Sequence, residues 1–247
     1  MNSVLICEGS TDYALLQYYM RKVNNWEDDK LGTLKYENNR ARDLKRGNDI
    51  LTIMSSGGCS NLTSAFKNVL DRNYNSKPDE SDAIHQVVII TDRDEAGTES
   101  SFIAEINKTL VASSANPAIP LTNNKWTTVS MKTNIGGCLS FEFLVMVIPF
   151  SGNGAMETFL LDAICDSSDY DKQIIERGKS FVNNADPEKK YLTKRRYCTK
   201  AEFDAYFCIR TAADQFEQRQ SILKAIPWEE YSKIQKDFIL LGKLGNR

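Results

Sequence analysis

The sequence predicts an α/β protein, a mostly parallel sheet flanked by helices and followed by a helical C-terminal part. Three observations predict it. Strand-like and helix-like segments alternate from the N-terminus to about residue 109, the pattern of an open α/β sheet. The run Val87-Val88-Ile89-Ile90 is apolar at every position, as expected of a central parallel strand covered by helices on both faces. From Ala155 onward the apolar residues recur at helical spacing, which adds a helical layer or small subdomain.

In chain order, a strand at 3–7 leads through a tight turn into a helix at 11–23, where Tyr13, Leu16, Tyr19, Met20 and Val23 form one stripe. Residues 24–48 are polar and charged and read as a loop or a short excursion. A second strand at 50–54 and a second helix at 60–72 follow, then a turn-rich stretch at 73–82. The clearest strand is 85–91, with a helix after it at 98–111. Two more strands are expected at 126–131 and 141–148, the second ended by Pro149, Gly152 and Gly154. Helices are expected at 155–165, 171–183, 200–212, 216–225 and 228–241, with Pro187 and Pro227 as breaks. Gly-Gly-Cys recurs at Gly57 and Gly136, too short a match to be a repeat.

Composition narrows the function. With 247 residues, 41% hydrophobic, the chain can build a sizeable core. Its longest apolar run, 141–150, is interrupted by Glu142 and falls short of the roughly 18 to 20 residues that cross a bilayer, so no membrane partner is expected. The N-terminus opens on a strand without the basic and apolar regions of a signal peptide, and the expected location is the cytoplasm. Cys7, Cys59, Cys138, Cys165, Cys198 and Cys208 are scattered with no C-x-x-C pair, which reads as reduced thiols. A zinc site, a Ser-His-Asp triad or a Cys-His dyad would each need the single histidine, His85. That residue stands at the mouth of an apolar strand and reads as structural.

A net charge of −2 excludes a general nucleic-acid coating protein while allowing local binding. Positive charge gathers at Lys35, Arg40, Arg42, Lys45 and Arg46, and again at Lys189, Lys190, Lys194, Arg195, Arg196 and Lys200. Each cluster is either a solvated face or a phosphate contact.

Two motifs carry chemistry. In Val4-Leu5-Ile6-Cys7-Glu8-Gly9-Ser10-Thr11-Asp12 a buried strand delivers a glutamate to its C-terminal edge, where open α/β sheets bind ligands. The structural alternative is that Glu8 complements the helix dipole and Ser10 or Thr11 is an N-cap. In Val87-Val88-Ile89-Ile90-Thr91-Asp92-Arg93-Asp94-Glu95-Ala96-Gly97 a central strand ends in two aspartates spaced i, i+2. In an extended segment both carboxylates point the same way and can share a hard cation. The alternative is a surface turn rich in aspartate, but such a turn needs no β-branched run before it.

Glu8-Gly9 with Asp92-Arg93-Asp94-x-x-Gly97 resembles the Toprim domain, the catalytic module of topoisomerases, bacterial primases, small maturation ribonucleases and the overcoming-lysogenization-defect nucleases. The resemblance covers about residues 1–150, and it implies a Rossmann-like Toprim fold with residues 151–247 as a helical region completing the active site. Three residues resemble the overcoming-lysogenization-defect branch: Asp12 in Glu-Gly-x-x-Asp, Glu157 in the Gly154-x-x-Glu157 segment, and Lys200 in Lys200-Ala201-Glu202-Phe203. For Glu157 and Lys200 a plain surface-helix position is the open alternative. Arg93 is larger than the residue usual between the aspartates, Asp is absent at position 96, and no G-x-x-x-x-G-K-[ST] phosphate loop is present.

The resemblance implies a nuclease that hydrolyses phosphodiester bonds of DNA or RNA with Mg²⁺ or Mn²⁺, acting as an antiviral-defence or toxin-like effector. The metal ligands would be Glu8, Asp12, Asp92, Asp94 and Glu157, with Lys200 beside the scissile phosphate and Lys194, Arg195 and Arg196 on the phosphate backbone. Any ATPase partner would be a separate polypeptide, and a homodimer is the further assembly expected. The rival expectations are a degenerate Toprim regulatory or binding protein, in which Arg93 blocks chemistry, and a primase-like nucleotidyl transferase.

Overall fold

A computed structural model describes residues 1–29, 40–77, 82–213 and 219–246. Eight strands form one sheet in the order β2-β3-β4-β1-β5-β8-β7-β6. The four central strands, β4 (Asp49–Ser55), β1 (Asn2–Cys7), β5 (Ile84–Asp92) and β8 (Cys138–Ile148), are parallel. Antiparallel strands extend them at both edges: β3 (Arg40–Arg46) and β2 (Glu27–Asp28) on one side, β7 (Lys125–Lys132) and β6 (Ala115–Pro117) on the other. The α/β architecture read from the sequence is therefore the one observed, with its parallel character concentrated in the middle.

The near-continuous apolar runs follow from burial of both faces. Side chains alternate across a strand, so Leu5, Cys7, Val88, Ile90, Leu144, Met146 and Ile148 enter one core. Val4, Ile6, Val87, Ile89, Phe143, Val145 and Val147 enter the other. The first core is covered by α1 (Ser10–Val23), α4 (Met156–Ser167) and the C-terminal helices, with Phe159 stacked on Phe238 and Tyr19 edge-on to the same ring. The second is covered by α2 (Leu62–Asn75) and α3 (Thr98–Ala112), with Phe66 stacked on Phe143 of β8. Because α1 and α2 lie on opposite faces, the connections from β1 to β4 and from β4 to β5 run in opposite directions. The switch falls between β1 and β5, where an open α/β sheet leaves a crevice beyond its strand ends.

Several elements differ from the sequence reading. The stretch 24–48 contains β3, a strand with one strong apolar residue, Leu44, among charges. Its second inward residue, Asp43, is satisfied by the Thr52 hydroxyl at 2.6 Å rather than by packing. In the basic cluster there, Arg40 lies over the Tyr13 ring, Arg42 pairs with Asp28 at 3.0 Å and Arg46 lies over the Trp26 ring. Those cations hold the edge of the sheet together; Lys35 lies outside the described residues, as does Phe216 at the start of an expected helix. That helix is described as α7 (Arg219–Ala225). The segment 228–241 is not one helix but 3₁₀ turns at Trp228–Glu230 and Ile239–Lys243 around α8 (Ser232–Asp237). Burial of Trp228, whose indole N–H bonds the Leu223 carbonyl at 2.6 Å, replaces regular helix spacing.

The remaining helices are α5 (Asp169–Ala185) and α6 (Arg195–Arg210). The start of α6 lies five residues before the expected position because its first turn, Arg195-Arg196-Tyr197, carries no apolar stripe to reveal it. No described helix is long and apolar enough to cross a membrane, and all six cysteines are free.

Candidate functional site

Beyond the C-terminal ends of β1, β4 and β5 lies a cavity of about 420 Å³, lined by Glu8, Asp92, Asp94 and Glu157 together with Arg196 and Lys200 of α6. Residues separated by up to 192 positions in sequence (200 − 8) are thus brought to one place. A second cavity of about 420 Å³ shares Cys59, Asp92 and Asp94 with the first and extends along α3 past Thr98, Ser101 and Glu105. The only histidine, His85, sits at the opposite end of β5 beside a different cavity and takes no part.

Local structure places each carboxylate. Glu8 follows the last residue of β1, and its Oε2 accepts from the Thr91 hydroxyl at 3.3 Å. Asp12, in the first turn of α1, accepts the Gly9 N–H at 2.8 Å, so it fastens the helix start as well as facing the acidic cluster. Asp92 ends β5, and its Oδ1 accepts the Met156 N–H at 2.9 Å, the free donor at the start of α4. Glu157, one residue on, is 4% exposed and accepts the Thr11 hydroxyl at 3.1 Å. The two ends are tied by backbone: the Arg93 N–H donates to Ile148 O at 2.6 Å and the Gly154 N–H to Arg93 O at 2.8 Å. Asp94 is exposed and lines both cavities.

Glycines shape the approach. Gly57 and Gly58, at φ 79° and 139°, adopt backbone that other residues rarely enter, and the turn lets the Gly58 N–H reach the Glu8 carbonyl at 3.0 Å. Gly154 is required for a different reason, because a Cβ there would lie 2.6 Å from Thr158 Cβ. Gly154→Ala is expected to force the first turn of α4 aside at a cost of about 1–3 kcal/mol, the usual penalty of overpacking. A melting temperature equal to that of wild type would show that Thr158 yields freely.

The carboxylates repel one another in a poorly solvated place. Burial, then Asp94, raises the pKa of Glu8. Burial raises Asp12 to about 7, with Glu157 and Glu8 adding to it, and burial with Asp12, Glu8 and Glu157 raises Asp92 well above the usual carboxylate range. The exposed Cys59 thiol, which lines both cavities, is also pushed up, by partial desolvation and then by Glu8 and Asp94. Asp12 binds a proton in the folded chain that the unfolded chain releases above its ordinary value of 3.8. Its contribution to stability is therefore fully present below that value and is lost as pH rises towards and through about 7. In a chelator at pH 7.5, Asp12→Asn should melt about 2–8 °C above wild type, since a ten-fold change in proton affinity between folded and unfolded chains corresponds to about 1.4 kcal/mol. At pH 4 the gap should close; a lower melting temperature at both pH values would mean that the Gly9 contact outweighs the repulsion.

The donor set is all carboxylate oxygen, which suits a hard divalent cation, and a cation would supply the charge that the buried acids lack. Among the described residues no group of three or more His, Cys, Asp or Glu side chains is already arranged to hold a metal ion, so ligation would require these side chains to draw together.

The remaining expected site residues divide. Arg196 and Lys200 line the cavity, Lys200 from the second turn of α6 and not its first. Lys194 and Arg195 are exposed at the start of that helix and are not part of the lining. Arg93 turns to an ion pair with Glu99 and lines neither cavity. Sequence reasoning missed Thr11 and Thr91, which orient Glu157 and Glu8, and the Gly57-Gly58-Cys59 turn. The signal for that turn was present, since paired glycines between a strand and a helix mark a tight loop.

Residues 2–240 match the model of a family described as a protein of unknown function, DUF3226. No curated protein matches the sequence. Among solved structures, a hypothetical protein from Pyrococcus horikoshii OT3 is similar over 98% of both chains, with 15% identity and a TM-score of 0.52, a likeness of fold. A lactoylglutathione lyase from Agrobacterium tumefaciens matches 58% of this chain and 92% of its own with 12% identity and a TM-score of 0.17, too low to bear on the fold.

Proposed function

We propose that this chain, which belongs to the DUF3226 family, is a Mg²⁺- or Mn²⁺-dependent nuclease of the Toprim type that hydrolyses phosphodiester bonds in DNA or RNA. One observation carries the reading: Glu8, Asp12, Asp92 and Glu157 gather with Asp94 at the switch point of the sheet, beside a cavity that Arg196 and Lys200 also line. Carboxylates and cations lining one cavity suit a phosphate held by divalent cations and by side-chain cations. The residues that would hold metal are Glu8, Asp92 and Asp94, with Asp12 and Glu157 behind them. A bound divalent cation supplies Lewis acidity and lowers the pKa of water.

The chain's own side chains do the rest. The Met156 N–H fixes the orientation of Asp92, and the Thr91 and Thr11 hydroxyls fix Glu8 and Glu157. Lys200 and Arg196 attract the phosphodiester and stabilise charge on its oxygens. Arg93 supports the catalytic reading over the degenerate one, because it is occupied by Glu99 and leaves the cavity open. Glu8 is a ligand or the general acid/base. The proposed setting is cytoplasmic, as an antiviral-defence or toxin-like effector with reduced thiols, any ATPase being a separate chain and the assembly a homodimer.

The test is incubation of purified protein with plasmid, linear DNA and total tRNA in Mg²⁺ or Mn²⁺, with a chelator control and Glu8→Ala alongside. Metal-dependent cleavage of at least one substrate, lost in Glu8→Ala, is expected. No cleavage of any substrate, or cleavage unchanged by Glu8→Ala, would remove the assignment.

A further inference from the structure

We infer that the segment 189–200 is a stacking platform that admits an unpaired nucleic-acid strand to the cavity, an inference that rests on the nuclease reading and names its substrate form. Two tyrosines with no role in the core stand there in the open: Tyr191 is 72% exposed and Tyr197 37% exposed. Each carries a cation. Lys190 Nζ lies 5.4 Å from the Tyr191 ring centroid, and Arg196 Cζ lies 5.2 Å from that of Tyr197. Arg196 is itself part of the cavity wall, so the Tyr197 ring adjoins the carboxylate site through the guanidinium beside it.

The loop that presents Tyr191 is fixed. Asp186 accepts the N–H groups of Lys190, Tyr191 and Leu192 at 3.0, 2.8 and 2.7 Å, and the Lys189 N–H returns to the Asp186 carbonyl at 3.0 Å. With the main chain already ordered, a base that stacks on the Tyr191 ring costs only the freedom of that side chain. Lys190 and Arg196 lie beside the two rings, and with Lys189, Lys194, Arg195 and Lys200 they give 189–200 six cations and no acid in a chain whose net charge is −2, so the positive charge of this stretch is a local departure from the whole.

Exposed rings interleaved with cations match an unpaired strand better than a duplex. In a duplex each base is already stacked on its neighbours and paired, so its face is closed to an aromatic ring, and the cations meet only phosphates and groove edges. In a single strand the bases offer their faces to aromatic rings while the phosphates follow the basic residues. DNA and RNA share these features, and the test separates them.

The experiment measures binding of labelled oligodeoxyuridylate, oligouridylate and a blunt DNA duplex to the full chain in a chelator, by fluorescence anisotropy over a range of salt. Wild type should prefer a single strand. Tyr191→Leu with Tyr197→Leu should weaken single-strand binding about ten-fold for each ring removed, with duplex binding and the salt slope nearly unchanged. Alanine at Lys194, Arg195 and Arg196 together should instead flatten the slope by about one unit for each phosphate no longer neutralised. If the basic variant changes the slope but the tyrosine variant binds every strand as wild type does, the platform is wrong and the nucleic-acid reading stands. If wild type binds no strand at all, both fall. Preference for oligouridylate over oligodeoxyuridylate, which differ only in the 2′-hydroxyl, assigns the strand as RNA, and the reverse as DNA.

Discussion

Asp92→Asn should abolish cleavage while leaving the protein folded and, in a chelator at neutral pH, more stable than wild type. The side chain has two jobs that the substitution separates. Its Oδ1 accepts the Met156 N–H at 2.9 Å and so closes the start of α4; an asparagine oxygen can do the same. Its negative charge, by contrast, is strained, because burial with Asp12, Glu8 and Glu157 pushes its pKa well above the usual range. Removing that charge relieves repulsion in the metal-free protein and, under the proposed function, takes away a metal ligand. The loss of several kcal/mol of transition-state stabilisation corresponds to a rate lowered by about 10³-fold or more. Asp92→Ala should lose activity as fully and also lose the cap, at a cost of about 0.5–2 kcal/mol. Asp94→Ala, at an exposed position, should lose activity with little change in stability. Cleavage by Asp92→Asn or Asp94→Ala at the wild-type rate, with metal in excess, would show that the carboxylates do not hold the catalytic ion.

The carboxylates were legible because they end strands that were themselves legible. Val4 to Ile6 and Val87 to Ile90 are apolar on both faces, so the residues that follow them must emerge at one edge of the sheet. What sequence could not give was the partner of each acid. Asp12 apart, whose Gly9 partner is three residues away, Asp92 fastens the start of α4 and Thr11 and Thr91 orient Glu157 and Glu8, contacts between residues 64 to 146 positions apart. No local pattern encodes them. Elements that failed to appear in the sequence are those held by polar or aromatic contacts in place of an apolar stripe. In β3 a Thr52–Asp43 hydrogen bond fills an inward position, and at 228–241 Trp228 burial breaks the helix. The early start of α6 belongs with them, and it matters most, because it moves Arg196 and Lys200 onto successive turns facing the cavity.

That placement sharpens the expectation for Lys200. In the first turn of a helix a lysine would oppose the dipole, and its removal would stabilise the fold. As the sixth residue of α6 it stands beyond that turn, exposed and at the cavity wall, so Lys200→Ala should leave the melting temperature almost unchanged. The chemistry should respond differently. An ammonium fixed beside the phosphodiester stabilises charge that grows as the bond breaks, and losing such a donor lowers kcat by about 10²-fold or more. Ground-state binding depends on many phosphate contacts, so affinity for uncleaved strand should fall only a few-fold, with the log-log salt slope smaller by about one unit. Lys200→Arg keeps the charge but changes its reach and geometry, and should recover part of the rate. Single-turnover cleavage at saturating Mg²⁺ separates the two contributions. A Lys200→Ala rate within a few-fold of wild type would place the lysine among the strand contacts and leave Arg196 as the cation facing the carboxylates; a loss of rate with binding nearly intact would place it at the reacting phosphate.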